Sequence, residues 1–185
     1  MGYNCNMYIL MGLGNPGKEY ENTRHNAGFM FLEWLAQKCE ATFVKDKYTD
    51  ALLAKCNLHA TLAKPQTFMN KSGFTAHKLA TTYKLQPTSF LVIHDDLDIK
   101  LGEFKIQQGK GPKVHNGIAS IESSLRFKDF WRVRIGIDNR ERYAGTGEEY
   151  LLSNFTKEEK EKLSESFPSI FEKLEEMINS HFPNT

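Results

Sequence analysis

The chain is predicted to fold as an α/β three-layer sandwich, a mixed, mostly parallel twisted sheet with helices on both faces. Three observations carry that prediction. Short apolar runs that end in turn residues alternate with amphipathic helical patterns, the arrangement that builds layered α/β domains. Phe90, Leu91, Val92 and Ile93 are continuously apolar, as a central parallel strand buried on both faces requires. No repeat, low-complexity tract or linker interrupts the 185 residues, so a single domain over 1–185 is expected. A chain of that length buries roughly 70% of its unfolded surface, enough for an unstapled core.

The elements follow in order. "MYILMGLG" reads as a buried strand that runs into a glycine loop. Asn22 or Thr23 can cap the next helix, where Ala27, Met30, Phe31, Trp34 and Leu35 form one apolar stripe. "DALLAKCN" and "HATLAKP" read as two short strands around Asn57, the second stopped by Pro65, which cannot donate to a ladder. "QTFMNKSG" is read as a loop, followed by a helix to about Leu85 with Ala76, Leu79, Ala80 and Tyr83 inward. The strand in "SFLVIHDDLD" is expected to emerge at His94, Asp95 and Asp96. "GEFKIQ" suits a further strand and "NGIASIESSL" a helix burying Ile118, Ile121 and Leu125. "WRVRIGID" alternates, with Trp131, Val133, Ile135 and Ile137 on one face and Arg132 and Arg134 on the other. Thr156 and Glu159 spell a capping box for an amphipathic helix that buries Leu163, Phe167, Ile170, Phe171, Leu174 and Ile178. Pro168 is expected to kink or divide it.

Composition narrows the function classes. A 40% hydrophobic and 25% charged chain is ordinary for a soluble globular protein, which excludes the disordered and fibrous classes. No apolar run approaches the 18 or so residues that cross a bilayer, and the N-terminus lacks a basic segment before a long apolar core, so a cytoplasmic location is expected. Cys5, Cys39 and Cys56 are odd in number, widely spaced and without a CxxC, and reduced thiols are expected. The net charge of +1 hides an asymmetry: Lys100 to Arg142 holds ten Lys/Arg against five Asp/Glu, and Glu148 to Glu176 four against nine. A basic stretch of this kind permits an anionic partner without demanding one.

"GLGNPGKEYENTRHNAG", Gly12 to Gly28, contains a G-x-G-x-x-G, yet a dinucleotide loop must turn directly into a helix and find an acidic residue at the end of a second strand. Here the helix waits for Asn22 or Thr23, and Glu33 and Glu40 fall within or near the end of that helix. The stretch fits a different chemistry better. A neutral His25 can take a proton from water, and Asp95, in a segment following a strand, can set its tautomer and favour the imidazolium. Asn15, Asn70 and Asn116 supply amide donors and acceptors that suit a peptide and developing negative charge. Such a set needs no cofactor. GxSxG, HExxH and GxxxxGK[ST] are all missing, and a magnesium ion on Asp95, Asp96 and Asp98 stands as an alternative.

"GLGNPGKEYENTRHNAG", "KPQTFMNKSG", "HDDLD" and "HNG", in that order, resemble the bacterial-type peptidyl-tRNA hydrolase family, and the likeness runs from Gly12 to at least Gly136. The resemblance implies hydrolysis of the ester between a stalled peptide and tRNA, by a metal-independent enzyme that acts as a monomer. It implies His25 as catalytic base and Asp95 as its acid partner. It also implies that Asn15 separates blocked from unblocked aminoacyl-tRNA, and that Tyr20, Phe68, Met69, Asn70, His115 and Asn116 bind substrate. Lys105, Lys110, Lys113, Arg132, Arg134 and Arg140 are the cations expected to contact tRNA phosphates, with Arg132 and Arg134 the firmest because they share a strand face. The chain departs from the family at "GKGPKVHNG", where Pro112, Lys113 and Val114 replace small residues and predict a stiffer, bulkier loop. A catalytically silent RNA-binding adaptor on the same scaffold is the competing reading.

Overall fold

The computed structural model describes residues 8–181. Seven strands form one sheet: β1 Tyr8–Gly12, β2 Val44–Lys45, β3 Ala51–Cys56, β4 Ala60–Pro65, β5 Phe90–Lys100, β6 Phe104–Gln108 and β7 Trp131–Asp138. Their order is β2-β3-β4-β1-β5-β7-β6. The central run β4-β1-β5-β7 is parallel, and antiparallel strands extend it at both edges. The helices are α1 Ala27–Lys38, α2 Ser72–Tyr83, α3 Asn116–Leu125, α4 Gly147–Leu152, α5 Lys157–Glu165 and α6 Phe167–His181.

Alternation along the strands divides the core in two. Tyr8, Leu10, Leu91, Ile93, Val133, Ile135 and Ile137 pack with α1, α5 and α6, whereas Ile9, Met11, Phe90 and Val92 pack with α2 and α3. This is the three-layer sandwich read from the sequence. Its parallel strands place their carboxyl ends together, where open α/β sheets gather ligands.

Several local expectations change. The helix after β1 opens as a 3-10 turn, Arg24–Asn26, and Thr23 turns its hydroxyl back to the Tyr20 carbonyl at 2.8 Å instead of capping. A similar turn, Met69–Lys71, stands in the segment read as a loop. α2 stops at Tyr83, with Lys84 left-handed at φ 51. β5 does not emerge at His94: it continues to Lys100, paired with β7 at His94, Asp95 and Asp96, beyond the end of its pairing with β1, and those three residues are buried. The capping box at Thr156 and Glu159 forms, and a second one, Thr146 with Glu149, opens α4. The C-terminal helix divides at Ser166, so that Pro168 falls in the first turn of α6, where a missing N–H costs nothing.

Cys39 and Cys56 form a disulfide, contrary to the expectation of reduced thiols. Cys39 caps the C-terminus of α1 and Cys56 ends β3, and packing helix on sheet brings their Cα atoms to 5.4 Å, a proximity that a separation of 17 residues conceals. Cys5 lies outside the described residues.

The glycines of the opening motif serve packing. A β-carbon on Gly12 would meet the Gly28 carbonyl at 2.6 Å, and one on Gly14 the Phe29 ring at 2.6 Å. The close backbone approach that a dinucleotide loop keeps for pyrophosphate is here taken by α1.

Candidate active site

Four segments meet at the carboxyl end of the parallel strands: the β1–α1 loop, the turn after β4, the middle of β5 and the start of α3. Each brings a polar side chain from a rigid backbone. The β5 carboxylate of Asp95 is 1% exposed and accepts at one oxygen, Oδ1, from two imidazoles. His25 Nδ1 lies 2.9 Å from it and His115 Nε2 3.1 Å.

The hydrogen-bond network assigns both tautomers. His115 Nδ1 accepts from Gly117 N at 3.1 Å and Ile118 N at 3.3 Å, capping α3, so its proton sits on Nε2 and is given to Asp95. His25 donates from Nδ1, which leaves Nε2 as a lone pair. Burial pushes the His25 imidazole down, but the Asp95 charge and hydrogen bond outweigh it, and its pKa is raised. Burial likewise works to raise the Asp95 carboxyl, and the two imidazoles overcome this to hold it well below the usual carboxylate range.

His94 supports the same centre from behind. Its Nδ1 lies 2.6 Å from the Asp95 carbonyl and therefore donates, and its ring meets His115 edge-on at 4.9 Å. Burial, then the neighbouring His115, lowers its pKa far enough to keep it neutral.

Asn15 is held as firmly. Its backbone N–H donates to Asn26 Oδ1 at 2.8 Å and its carbonyl accepts from Asn26 Nδ2 at 3.0 Å. Asn15 Oδ1 accepts from Met69 N at 2.8 Å, so its Nδ2 is the group presented outward. Met69, expected to contact the peptide, is only 4% exposed: its N–H holds the Asn15 amide, and its thioether sits over Gly117 in the core. That contact also makes neighbours of Asn70 and Asn116, both exposed. Phe68, 55% exposed, meets Tyr20 edge-on at 6.3 Å and forms a rim with it. Asn15 and Asn26 also line a cleft of about 380 Å³ with Pro16, Phe29, Met30 and Leu52.

The basic residues separate. Lys105, Lys110 and Lys113 are exposed, Lys113 lying 3.5 Å from Asp98. Arg140 binds Asp138 at 2.7 Å and the Leu97 carbonyl. Arg132 is only 3% exposed: it pairs with Glu122 at 2.7 Å and donates to the Gly111 and Lys128 carbonyls. Arg134 pairs with Asp96 at 2.7 Å and with Gln107. The firmest of the expected phosphate contacts are thus turned inward, because β7 is an interior strand whose polar face lies beneath α3 and the Gly109–Lys113 loop. Val114, directly after that loop, is 85% exposed.

Asp95, Asp96 and Asp98, the residues of the magnesium alternative, each face a different partner. His25, Asp95 and His115 have their donor atoms within 4.8 Å of one another, the composition of a metal site. Metal ligation needs about 2.0–2.2 Å from each atom and the lone pair of His115 Nε2, which here carries a proton.

The family model for peptidyl-tRNA hydrolase matches residues 9–185. The chain belongs to the peptidyl-tRNA hydrolase family. It is 47% identical over 134 residues to the peptidyl-tRNA hydrolase of Neisseria meningitidis serogroup C, covering 71% of this chain and 70% of that protein. It is 41% identical over 169 residues to that of Lawsonia intracellularis, covering 90% and 84%. The crystal structure of the peptidyl-tRNA hydrolase from Acinetobacter baumannii superposes with a TM-score of 0.85 at 30% identity, over 99% of this chain and 94% of that one. Among peptidyl-tRNA hydrolase motifs, three residues here carry more than sequence reading assigned them. Asn26 locks Asn15, His115 shares the Asp95 oxygen, and Arg24 anchors the His25 turn. Arg24 and Asn26 flank His25 in "TRHN", a signal of position but not of partner.

Proposed function

We infer that this chain hydrolyses the ester between a peptide and the 3′ ribose of tRNA, with His25 as general base and no metal. The observation that carries this reading is the hold of Asp95 Oδ1 on His25 Nδ1, which turns an unprotonated Nε2 toward solvent-derived nucleophile. Nε2 takes a proton from water as its oxygen attacks the ester carbonyl carbon. The tetrahedral oxyanion then collapses, the bond to the ribose oxygen breaks, and the imidazolium returns its proton to that oxygen. Asp95 stabilises the imidazolium meanwhile.

The amides of Asn15, Asn70 and Asn116 hold the peptide and meet the charge on the oxyanion, and the cleft beside Asn15 gives the peptide room. A charged α-amine would lose water there without a partner, which disfavours unblocked aminoacyl-tRNA. Tyr20 and Phe68 complete the binding surface, His115 supports it from beneath through Asp95, and Lys105, Lys110, Lys113 and Arg140 supply cations for the acceptor arm. The protein acts as a monomer in the cytoplasm, where it recycles tRNA from stalled translation. Within the described residues no helix is long and apolar enough to cross a membrane.

Hydrolysis of N-acetyl-aminoacyl-tRNA by the unsubstituted protein and by His25→Ala tests the reading. Turnover by the first and not the second is expected, with both folded. Undiminished hydrolysis by the variant overturns the assignment, and light scattering checks the monomer.

A further inference from the structure

Arg24, beside the proposed base, carries a charge that the reaction does not use, and the fold buries it. Its Nη1 donates to Ser153 Oγ at 2.8 Å and to the Asn154 carbonyl at 2.7 Å, and Nη2 is ion-paired with Glu159. The guanidinium lies 4.2 Å from the Tyr150 ring centre and 5.2 Å from that of Phe155. The backbone repeats the tie: Arg24 N donates to the Ser153 carbonyl at 3.1 Å, Phe155 N to the Asn22 carbonyl at 3.0 Å, and Thr23 bridges Asn154.

Glu159 is saturated in turn. It accepts from Thr156 N at 2.9 Å and from Asn139 Nδ2 at 3.0 Å, and Asn139 N donates to the Tyr150 hydroxyl at 3.0 Å. Burial works to raise its carboxyl, but Arg24 and these amides hold it below the usual range. The segment that carries His25 is thereby fastened to the end of β7, to α4 and to α5.

We propose that Arg24 and Glu159 are positioning residues for hydrolysis: their buried pair fixes the Arg24–Asn26 turn so that His25 meets Asp95. The proposal rests on His25 acting as the base. A single 3-10 turn holds its own geometry poorly, whereas Asp95 is locked in a central strand, so their register needs an outside anchor. Misplacing a catalytic group by about 1 Å can cost up to about 10²-fold. Contact with RNA does not fit Arg24, because its terminal nitrogens are spent on protein acceptors in a buried place.

The test is steady-state hydrolysis of N-acetyl-aminoacyl-tRNA from about pH 5 to about pH 9, at a temperature where circular dichroism shows each variant folded. Glu159→Gln keeps the size but removes the charge and replaces one of the two accepting oxygens by a donor NH2. Leu163→Ala, in the same helix and buried in the core, controls for plain loss of stability. Asp95 and His115 face His25 from β5 and from the start of α3, and Glu159 faces Arg24 from α5. Glu159→Gln is expected to lower kcat about tenfold with KM nearly unchanged. The acid limb should move down toward the ordinary histidine value of about 6.5, as Asp95 loses its hold. Leu163→Ala should lower only Tm. If Glu159→Gln does not fold, Arg24→Lys, which keeps the charge and loses the fork, carries the same expectations. Wild-type kcat and pH limb in the pair variant, or both effects reproduced by Leu163→Ala, overturn the proposal. Inactivity of the unsubstituted protein overturns the hydrolase reading and this proposal with it.

Discussion

His115 shares a carboxylate oxygen with His25: Asp95 Oδ1 lies 3.1 Å from the one imidazole and 2.9 Å from the other. One ring caps a helix and the other is the proposed general base, so the carboxylate joins a structural group to the group proposed to react. Replacing His115 by Asn should separate these duties. Asparagine retains the cap on Gly117 and Ile118 but does not reach Asp95. Without that donor the carboxylate favours the imidazolium more strongly. The acid limb of kcat/KM should therefore rise in pH while the fold stays intact, and a pH–rate profile beside a melting curve reads both.

In the unsubstituted protein the same limb should lie above about 6.5, since His25 must be neutral to act and its pKa is raised. Asp95→Asn should cut turnover by about 10²- to 10⁴-fold and move the residual limb down.

Stability links to the same groups with opposite signs. The Asp95 carboxyl is held low, so its contribution is present above about pH 3.9 and is lost as pH falls through its folded value. His25 is raised, so its contribution is full below about pH 6.5 and is lost as pH climbs through its folded value. The stability difference between wild type and Asp95→Asn should be largest between those limits. Urea midpoints measured across pH will show a flat difference if the pairing carries no weight.

Chelation offers a separate check. Excess EDTA should leave hydrolysis unchanged, and zinc added back afterwards should not raise it. Activation by zinc after chelation would contradict proton transfer through His25.

Lys110 and Arg132 should behave differently although both are basic and close in sequence. Lys110→Ala should weaken tRNA binding and flatten its dependence on salt by about one phosphate contact. Arg132→Ala should cost about 3 kcal/mol of stability, the low end for a broken buried pair because Glu122 keeps some water, and leave the salt slope alone. Equal salt slopes for the two variants would return Arg132 to the phosphate surface.

Much of the architecture was legible because it depends on local pattern. The run Phe90–Ile93 marked the central strand, the alternation of β7 marked its inner face, and Thr156 with Glu159 marked the start of α5. The opposite face of β7 was less legible. Alternating arginines were expected to contact phosphates, and only the packing of α3 shows that Glu122 pairs with Arg132 there. Met69 was ambiguous in sequence, since a buried thioether and a peptide contact use the same side chain.

Residue types and spacing determined by themselves that this chain makes an α/β sandwich, that His25 and Asp95 stand on segments bound for one end of its sheet, and that four motifs follow a known family order. Tertiary structure alone decided who faces whom. It gave His115 and His25 one shared oxygen, Arg24 a carboxylate 135 residues away, and Cys39 the sulfur of Cys56. Periodicity reports which way a side chain leaves its own element, whereas a hydrogen bond needs the position of another element to within a fraction of an ångström, and only the assembled core sets that.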